Sequence, residues 1–530
     1  MMQVERIANL FKNELSEEVV SSNLMNLRVL CANEKTEEIL EILDNVLKLC
    51  RTSSNVKLIV DIYELKIKQL YHSLYNLPIV ERLVQKMKQC ALEINYTEGI
   101  ALSFQIEGYL ELIKGNRKES GYKIEQAMEI LKRSKSSDHY VDNICSYSYA
   151  FNRWLIQRDF RMASIFEDCS SYFYENGFHR SFAQCLSVLT IIYQQTQSKK
   201  ESAEIAKKIV GKRYFLDKLP NEIKSIVFFC MGFSQELSFE LERAEEYLLK
   251  AKELLQPIYR SSIYSSYYIT TLSYLTATYA LRGKLELSWN QIKEVEDLIE
   301  EGIVTRNLDN FNKEQMKHIF NLTKFYILSR LQSVVIEDLQ ELTTEILLNI
   351  NKYYSNSMFF TEFLLNANLS KKQLTRIKKL NTPSTKRVEH ILDFLIAKKS
   401  YNKENQIIEL VSTLQRRPVE DRMTLEEKAF ADLLAAQEYF KLKRYTEIYP
   451  LLRKYEKRLD QIEVLELRLF MEAFIQIGAY KNGDLMGPMN QYLAIKKCRL
   501  YRLTKLENRL LDYLDVQAKE ARTNTNYIYS

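Results

Sequence analysis

Glycine and proline are scarce, with 12 and 7 in 530 residues, where average usage gives roughly 60 between them. Sheets depend on tight turns, and tight turns need residues that accept a positive φ or carry a preset one. A sheet-rich or α/β chain of this length is therefore close to excluded. Glycine-rich phosphate loops are excluded too: no G-x-G occurs, and Gly211-Lys212 and Gly283-Lys284 lack the upstream glycine of a Walker loop. Histidine is equally sparse. His72, His139, His179, His318 and His390 lie far apart, with no H-x-x-x-H. The eight cysteines (Cys31, Cys50, Cys90, Cys145, Cys169, Cys185, Cys230 and Cys498) contain no C-x-x-C and are too dispersed for a disulfide scaffold. The closest Cys/His grouping, Cys169, His179 and Cys185, is spaced by 10 and 6 residues, which places its members on different helices. No metal and no cofactor is expected.

Long apolar runs are missing as well. Ile226 to Phe233 and Leu186 to Tyr193 are the longest, far below the ~18–20 residues of a membrane span. The opening MMQVERIANLFKNELSEE has no uninterrupted apolar segment of the signal-peptide kind. The expectation is a cytoplasmic chain with reduced cysteines and no membrane contact. Charge of one sign is also lacking. The 75 Lys+Arg against 69 Asp+Glu leave +6, too mild to imply nucleic acid or acidic lipid for the whole chain. No G-x-S-x-G motif occurs, and no residue pattern announces a reaction, so a non-enzymatic role is expected.

What is present is helical periodicity. Ile39, Ile42, Leu43, Val46, Leu47 and Cys50 recur at i, i+3, i+4, i+7, i+8 and i+11, a single apolar stripe. Ile62, Tyr63, Ile67 and Leu70 continue the pattern. Thr424-Leu425-Glu426-Glu427 has capping-box spacing ahead of an apolar run through Phe430, Leu433 and Leu434.

The helices also repeat. In 101–131 a helix ends near Lys114, Gly115-Asn116 makes a turn, and a second helix follows. Gly108, Ser120 and Ala127 stand there at offsets 0, +12 and +19, and Gly232, Ala244 and Ala251 occupy the same offsets in 225–255, with Pro257 beyond. Small residues at those places let two antiparallel helices approach closely. Looser units centre on Phe151 (Ala163 at +12), Ile191 (Ala203 at +12) and Thr276 (Tyr279 at +3, a Gly283 turn, Ser288 at +12). The anchors 108, 151, 191, 232 and 276 are 40 to 44 residues apart. A further unit, with Ala436 as anchor, carries Tyr439 at +3 and Tyr445 at +9.

This Gly/Ala, turn, small, small pattern resembles the tetratricopeptide repeat (TPR), whose period is about 34 residues. The longer period here is similar to the helical sensor arrays of maltose-regulator-type proteins and of signalling-peptide receptors. The resemblance is good over 96–305 and fair over 425–480, and the Trp usual early in the first helix is missing. It implies an all-α fold, a TPR-like α-solenoid in which antiparallel hairpins wind into a right-handed superhelix. The expected organisation is an N-terminal helical segment (1–95), a repeat array (96–305), a helical connector with a basic segment (306–400), a second array (401–522) and a polar tail (523–530).

In arrays of that type the first helix of each unit lines a concave surface, at offsets near −6, −3, +1 and +4. Carried onto these anchors, the resemblance implies a partner-binding groove. Gln105, Ser148, Asn152, Glu236, Thr270 and Ser273 would hydrogen-bond a peptide backbone, and Tyr109, Phe229 and Phe233 would hold side chains. Packing between neighbouring units is the competing account of each. Tyrosine, at 34 residues, is over-used, with Tyr259, Tyr264, Tyr267, Tyr268, Tyr274 and Tyr279 in one short stretch. It suits half-buried binding surfaces, and equally the seams between long helices.

One segment stands out by charge. From Phe363 to Val388 there is no acidic residue, while Lys371, Lys372, Arg376, Lys378, Lys379, Lys386 and Arg387 supply seven positive charges. The text reads as a helix, a turn at Asn381-Thr382-Pro383 and a helix opening at Ser384, which is also the layout of a DNA-binding helix-turn-helix. A second basic stretch, Lys496, Lys497, Arg499, Arg502 and Lys505, reads as a solvated helix face. Two functions follow as expectations. The first is a protein- or peptide-binding scaffold or sensor acting through the concave surface. The alternative is a transcriptional regulator contacting DNA through 370–400 with the array as sensor. A homodimer is open on either reading.

Overall fold

The structure, a computed structural model, describes residues 16–33, 37–53, 55–70, 76–134, 138–157, 159–195, 216, 219–261, 265–300, 310–330, 336–349, 358–380, 386–399, 424–484, 487–501 and 503–514. Among these residues the elements are all helical and there is no strand, as the shortage of turn-forming residues requires. The expected turn at 381–383 and helix start at Ser384, together with Ala203, Gly211-Lys212, Tyr264, Arg502 and the polar tail, lie outside the described residues.

By Cα proximity the chain divides into two compact units. One comprises Met1–Ser234, Tyr247–Thr271 and Leu298–Lys313; the other comprises Gln235–Glu246, Leu272–Asp297 and Glu314–Ser530. Among the described residues, ten α-helices lie wholly in the first unit: α1 (Glu17–Ser22), α2 (Leu24–Asn33), α3 (Glu37–Ser53), α4 (Val56–Leu70), α5 (Leu77–Glu93), α6 (Thr97–Ile113), α7 (Arg117–Ser134), α8 (His139–Gln157), α9 (Ala163–Glu175) and α10 (His179–Gln195). From α3 to α10 each helix packs on the next, and α6 also touches α8, the neighbour-by-neighbour pattern of a hairpin array. The core holds Leu27, Leu43, Ile62 and Leu65 together with Tyr140, Phe166, Phe173 and Phe178.

The chain changes unit within α11 (Asn221–Leu237), α12 (Leu241–Leu255), α13 (Ser265–Leu281) and α14 (Leu285–Glu300). The second unit then adds α15 (Asn310–Leu328, with its first residues in the first unit), α16 (Ile336–Asn349), α17 (Met358–Asn366), α18 (Lys371–Leu380) and α19 (Lys386–Lys398). After these come α20 (Leu425–Lys441), α21 (Ile448–Leu452), α22 (Leu465–Lys481), α23 (Gly487–Leu500) and α24 (Thr504–Leu511). Here α18 packs on α19, α20 on α21 and α22, and α22 on α23 and α24. Phe360, Phe363 and Phe474 are its largest fully buried side chains.

The anchor positions have a common structural meaning. A Cβ built on Gly108 would lie 2.6 Å from Ile124 Cγ1, and one built on Gly232 would lie 2.6 Å from Leu248 Cγ. Both partners stand 16 residues on, so the two hairpins close on the same contact. The residues at +12 and +19, Ser120, Ala127, Ala244 and Ala251, are all fully buried. Ser288 Oγ donates to the Thr276 carbonyl at 2.8 Å, tying the looser unit at the same offset of 12.

The connections repeat too. After α6 the Gly115 N–H donates to the Leu112 carbonyl and the Asn116 N–H to the Glu111 carbonyl, which is a Schellman cap. The same pair of bonds closes the helices ahead of Asn95, Gly177, Phe239, Gly283, Lys443 and Gly483. All of these residues have positive φ. Three of these seven caps are thus held by Asn, Phe and Lys in a chain short of glycine.

Candidate functional site

The second unit contains a cavity of about 190 Å³. Its longest wall is one face of α20: Phe430, Leu433, Leu434, Gln437, Glu438 and Lys441, at i, i+3, i+4, i+7, i+8 and i+11. That helix starts where the sequence predicts. Thr424 Oγ1 accepts from the Glu427 N–H at 3.1 Å, and the Glu427 carboxylate accepts from the Thr424 N–H at 2.9 Å. The first turns of this wall are apolar and its last turns are polar. Leu365, Phe394, Leu395, Leu467 and Phe470, from α17, α19 and α22, complete an apolar floor. Phe470, Phe474 and Phe440 pack around the Tyr513 ring behind it.

The polar side of the cavity is a set of ion pairs. Glu438 Oε1 lies 2.7 Å from Lys398 Nζ and 2.8 Å from Lys441 Nζ. Burial pushes Glu438 up, but the hydrogen bonds from the two ammonium groups outweigh it and hold the carboxyl below its usual value. Burial in turn lowers Lys398, against the pull of Glu438.

Two further carboxylates of the lining, Glu362 and Glu466, are held by Arg330, which is 8% exposed and bonds Glu362 at 2.8 Å and Glu466. The Tyr326 hydroxyl also donates to Glu466, at 3.2 Å. The Arg330 guanidinium lies 3.5 Å from the centre of the Tyr326 ring. Burial raises the Tyr326 phenol far above its ordinary value, and the carboxylates keep Arg330 charged despite its burial. Arg509 reaches the cavity from α24. Its Nη1 is 3.6 Å from Glu466 Oε1 and its Cζ is 5.2 Å from the centre of the Phe470 ring. The lining holds no His, Cys, Ser or Thr; its chemistry is apolar contact and charge.

The residues of the implied groove lie elsewhere. Gln105, Asn152, Phe229, Phe233, Glu236 and Ser273 are buried, at 3% to 8% exposure, while Tyr109, Ser148 and Thr270 are half-buried. Gln105 donates to Ser148 Oγ at 2.9 Å, joining α6 to α8, and Asn152 donates to Ser120 Oγ at 2.9 Å, joining α8 to α7. Phe229 stacks on Phe233 one turn away, with centroids 6.2 Å apart, and meets the edge of Tyr267.

In the basic segment, Leu374 and Ile377 of α18 are buried while Lys371, Lys372, Arg376, Lys378 and Lys379 are exposed. Lys378 pairs with Asp393 of α19. Lys386 and Arg387 open α19, and their side chains lie outside the described residues.

A second polar cluster, in the first unit, escaped the sequence reading. Arg28 of α2 is buried, 3.3 Å from Asp61 and 3.0 Å from Asp138, with its guanidinium 4.3 Å from the centre of the Tyr140 ring. Tyr96 donates to Asp61 and Tyr140 to Glu64, each at 3.0 Å, and Lys68 pairs with Glu64. Each charge in it has an opposite partner, so it reads as a clasp between α2, α4 and α8.

Among the described residues, no group of three or more His, Cys, Asp or Glu is placed to hold a metal ion. No helix there is long and apolar enough to cross a membrane. No disulfide joins the eight cysteines, and all but Cys90 are buried; burial pushes the thiols of Cys169, Cys230 and Cys498 up to about 12.

No protein-family model matches the chain, and no curated protein matches it.

The cavity was only partly legible in advance. The α20 face is visible as a helical pattern whose last third turns polar. The remaining lining comes from six other helices spread over 281–509, and no local pattern joins them.

Proposed function

We propose that this chain is a non-enzymatic protein- or peptide-binding module, a TPR-like right-handed array that serves as scaffold or sensor. The hairpins that close on one contact at Gly108 and Gly232 support the repeat assignment. The cavity carries the functional reading, because its apolar floor beside a rim of paired charges suits a side chain presented on a polar backbone. A pocket of roughly 150 Å³ already admits a benzene ring, so this one holds a single large side chain. Burying such a group is worth about 1.5–3 kcal/mol. A random-peptide phage library panned on the full chain tests the proposal. Sequences sharing an apolar anchor are expected, and they should lose binding to Leu434→Arg, which places a charge on the half-buried floor. Absence of any enriched sequence would sink it.

One observation favours a second reading, a regulator that contacts DNA through 370–400. Among the described residues no ion pair engages Lys371, Lys372, Arg376 or Lys379, which share the exposed side of α18. Unpaired cations on one helix suit phosphate contacts. Gel shifts at rising salt check this reading, with Lys371→Glu/Lys372→Glu/Arg376→Glu as control. Identical behaviour of the two proteins refutes it.

A further inference from the structure

Two enclosed arginines are each paired twice over, Arg28 with Asp61 and Asp138, and Arg330 with Glu362 and Glu466. Arg180 is the exception. It is 5% exposed, yet no carboxylate pairs with it among the described residues. Its Nε and Nη1 are shut off from solvent without a hydrogen-bond partner. An enclosed cation of this kind is strongly disfavoured, because it gives up its hydration and receives no anion in return.

Its place in the fold makes the deficit larger. Arg180 is the second residue of α10, and a helical side chain lies back over the turn before it, so the guanidinium is carried to the helix start. There the first N–H groups lack intrahelical acceptors and the macrodipole is positive. Asn33, the last residue of α2, fixes the backbone. Its Oδ1 accepts from the Arg180 N–H at 3.2 Å, and its Nδ2 donates to the Gly177 carbonyl at 2.7 Å. The next N–H, that of Ser181, has no acceptor among the described residues. Gly177 leaves room beside this turn, since a Cβ built on it would meet only Val29 Cγ1, at 3.7 Å. An orphaned guanidinium and an orphaned backbone donor therefore share one positive helix end.

Both donors ask for an anion with several acceptor oxygens. A guanidinium fork uses up the two oxygens of a carboxylate, whereas a phosphate group keeps a third for the backbone N–H. We propose that the start of α10 binds a phosphate group, with the Arg180 guanidinium and the Ser181 N–H as its donors. The site lies in the first unit and does not rest on the cavity or on the peptide-binding reading.

Phosphorus NMR on the full chain, at constant ionic strength in chloride, tests this with two probes, inorganic phosphate and the phosphomonoester N-acetyl-phosphoserine amide. The parent protein should broaden the signal of at least one. Arg180→Met should bind that probe roughly tenfold more weakly, the loss expected of one charge-assisted pair. Arg180→Lys keeps the charge without the fork and should fall between the two; it carries the comparison if Arg180→Met fails to fold by circular dichroism. Urea denaturation gives a second readout. Without phosphate Arg180→Met should be at least as stable as the parent, because it removes an enclosed unpaired charge. Added phosphate should raise the parent's midpoint by ligand linkage and exceed the general salt effect seen in the variant. Tighter binding of inorganic phosphate assigns the site to the free ion, and tighter binding of the phosphoserine probe assigns it to a phosphorylated chain. No broadening of either probe, equal binding by the parent and the folded variants, or displacement of phosphate by equimolar acetate overturns the proposal.

Discussion

Single residues decide more in this chain than its regular helices suggest, and Arg330 is the clearest case. It is almost wholly buried and pairs with Glu362 and Glu466 at once. Removing it leaves two carboxylates in a poorly solvated place, which typically costs about 3–5 kcal/mol. Arg330→Met should therefore lower the urea midpoint sharply, whereas the triple change Arg330→Met/Glu362→Gln/Glu466→Gln should recover much of the loss. A single variant as stable as the parent would show that the pairs contribute nothing. Lys443 works in the opposite direction. It is exposed and sits at φ +58°, closing the helix that ends at Lys441. Left-handed backbone costs a side-chain-bearing residue about 1–2 kcal/mol, and glycine gives part of that back in unfolded-state entropy. Lys443→Gly should raise stability by about 0.5–1 kcal/mol in a thermal melt. The sequence marks the turns at Gly115 and Gly283. The equivalent ones at Phe239 and Lys443 are invisible in it, because the surrounding hairpin and not the residue type imposes the conformation.

At the scale of one element, α20 joins a legible start to an illegible environment. The capping box at Thr424 and Glu427 is local, set by residues three apart, and forms as read. Glu426, between them, is buried, and desolvation pushes its carboxyl up to about 7 despite the hydrogen bond it accepts from the Glu463 N–H. The unfolded chain releases that proton near pH 4.3. Between those values the folded state holds a proton that the unfolded state does not, so this group makes stability fall as pH rises from about 4.3 to 7. Glu426→Gln removes that slope. The variant should gain on the parent by about 2–3 kcal/mol at pH 8 and be close to it at pH 4. Urea denaturation at the two pH values measures the difference, and an unchanged gap refutes the assignment. Nothing in the sequence distinguishes Glu426 from Glu427, since only the packing around them separates a buried carboxyl from a capping one.

For the whole molecule, the two compact units interleave along the sequence, so no single cut in the chain separates them. The helices from α3 to α10 nonetheless pack on their sequence neighbours, and stability in such an array is roughly a sum of nearest-neighbour terms. The isolated segment 96–305, which contains whole hairpins, should therefore give a strongly helical circular dichroism spectrum. A disordered fragment would show that distant contacts dominate.

The amino-acid sequence by itself determined that this is an all-helical chain, where the clearest helix pairs turn, and that Gly108 and Gly232 sit at close contacts. Those are consequences of backbone freedom and of periods a few residues long. The tertiary structure alone decided which charges are buried, since Arg28, Arg330 and Glu426 read in the text like any surface residue. It also gathered seven helices around one cavity, because burial and convergence depend on neighbours hundreds of residues away and no local pattern encodes them.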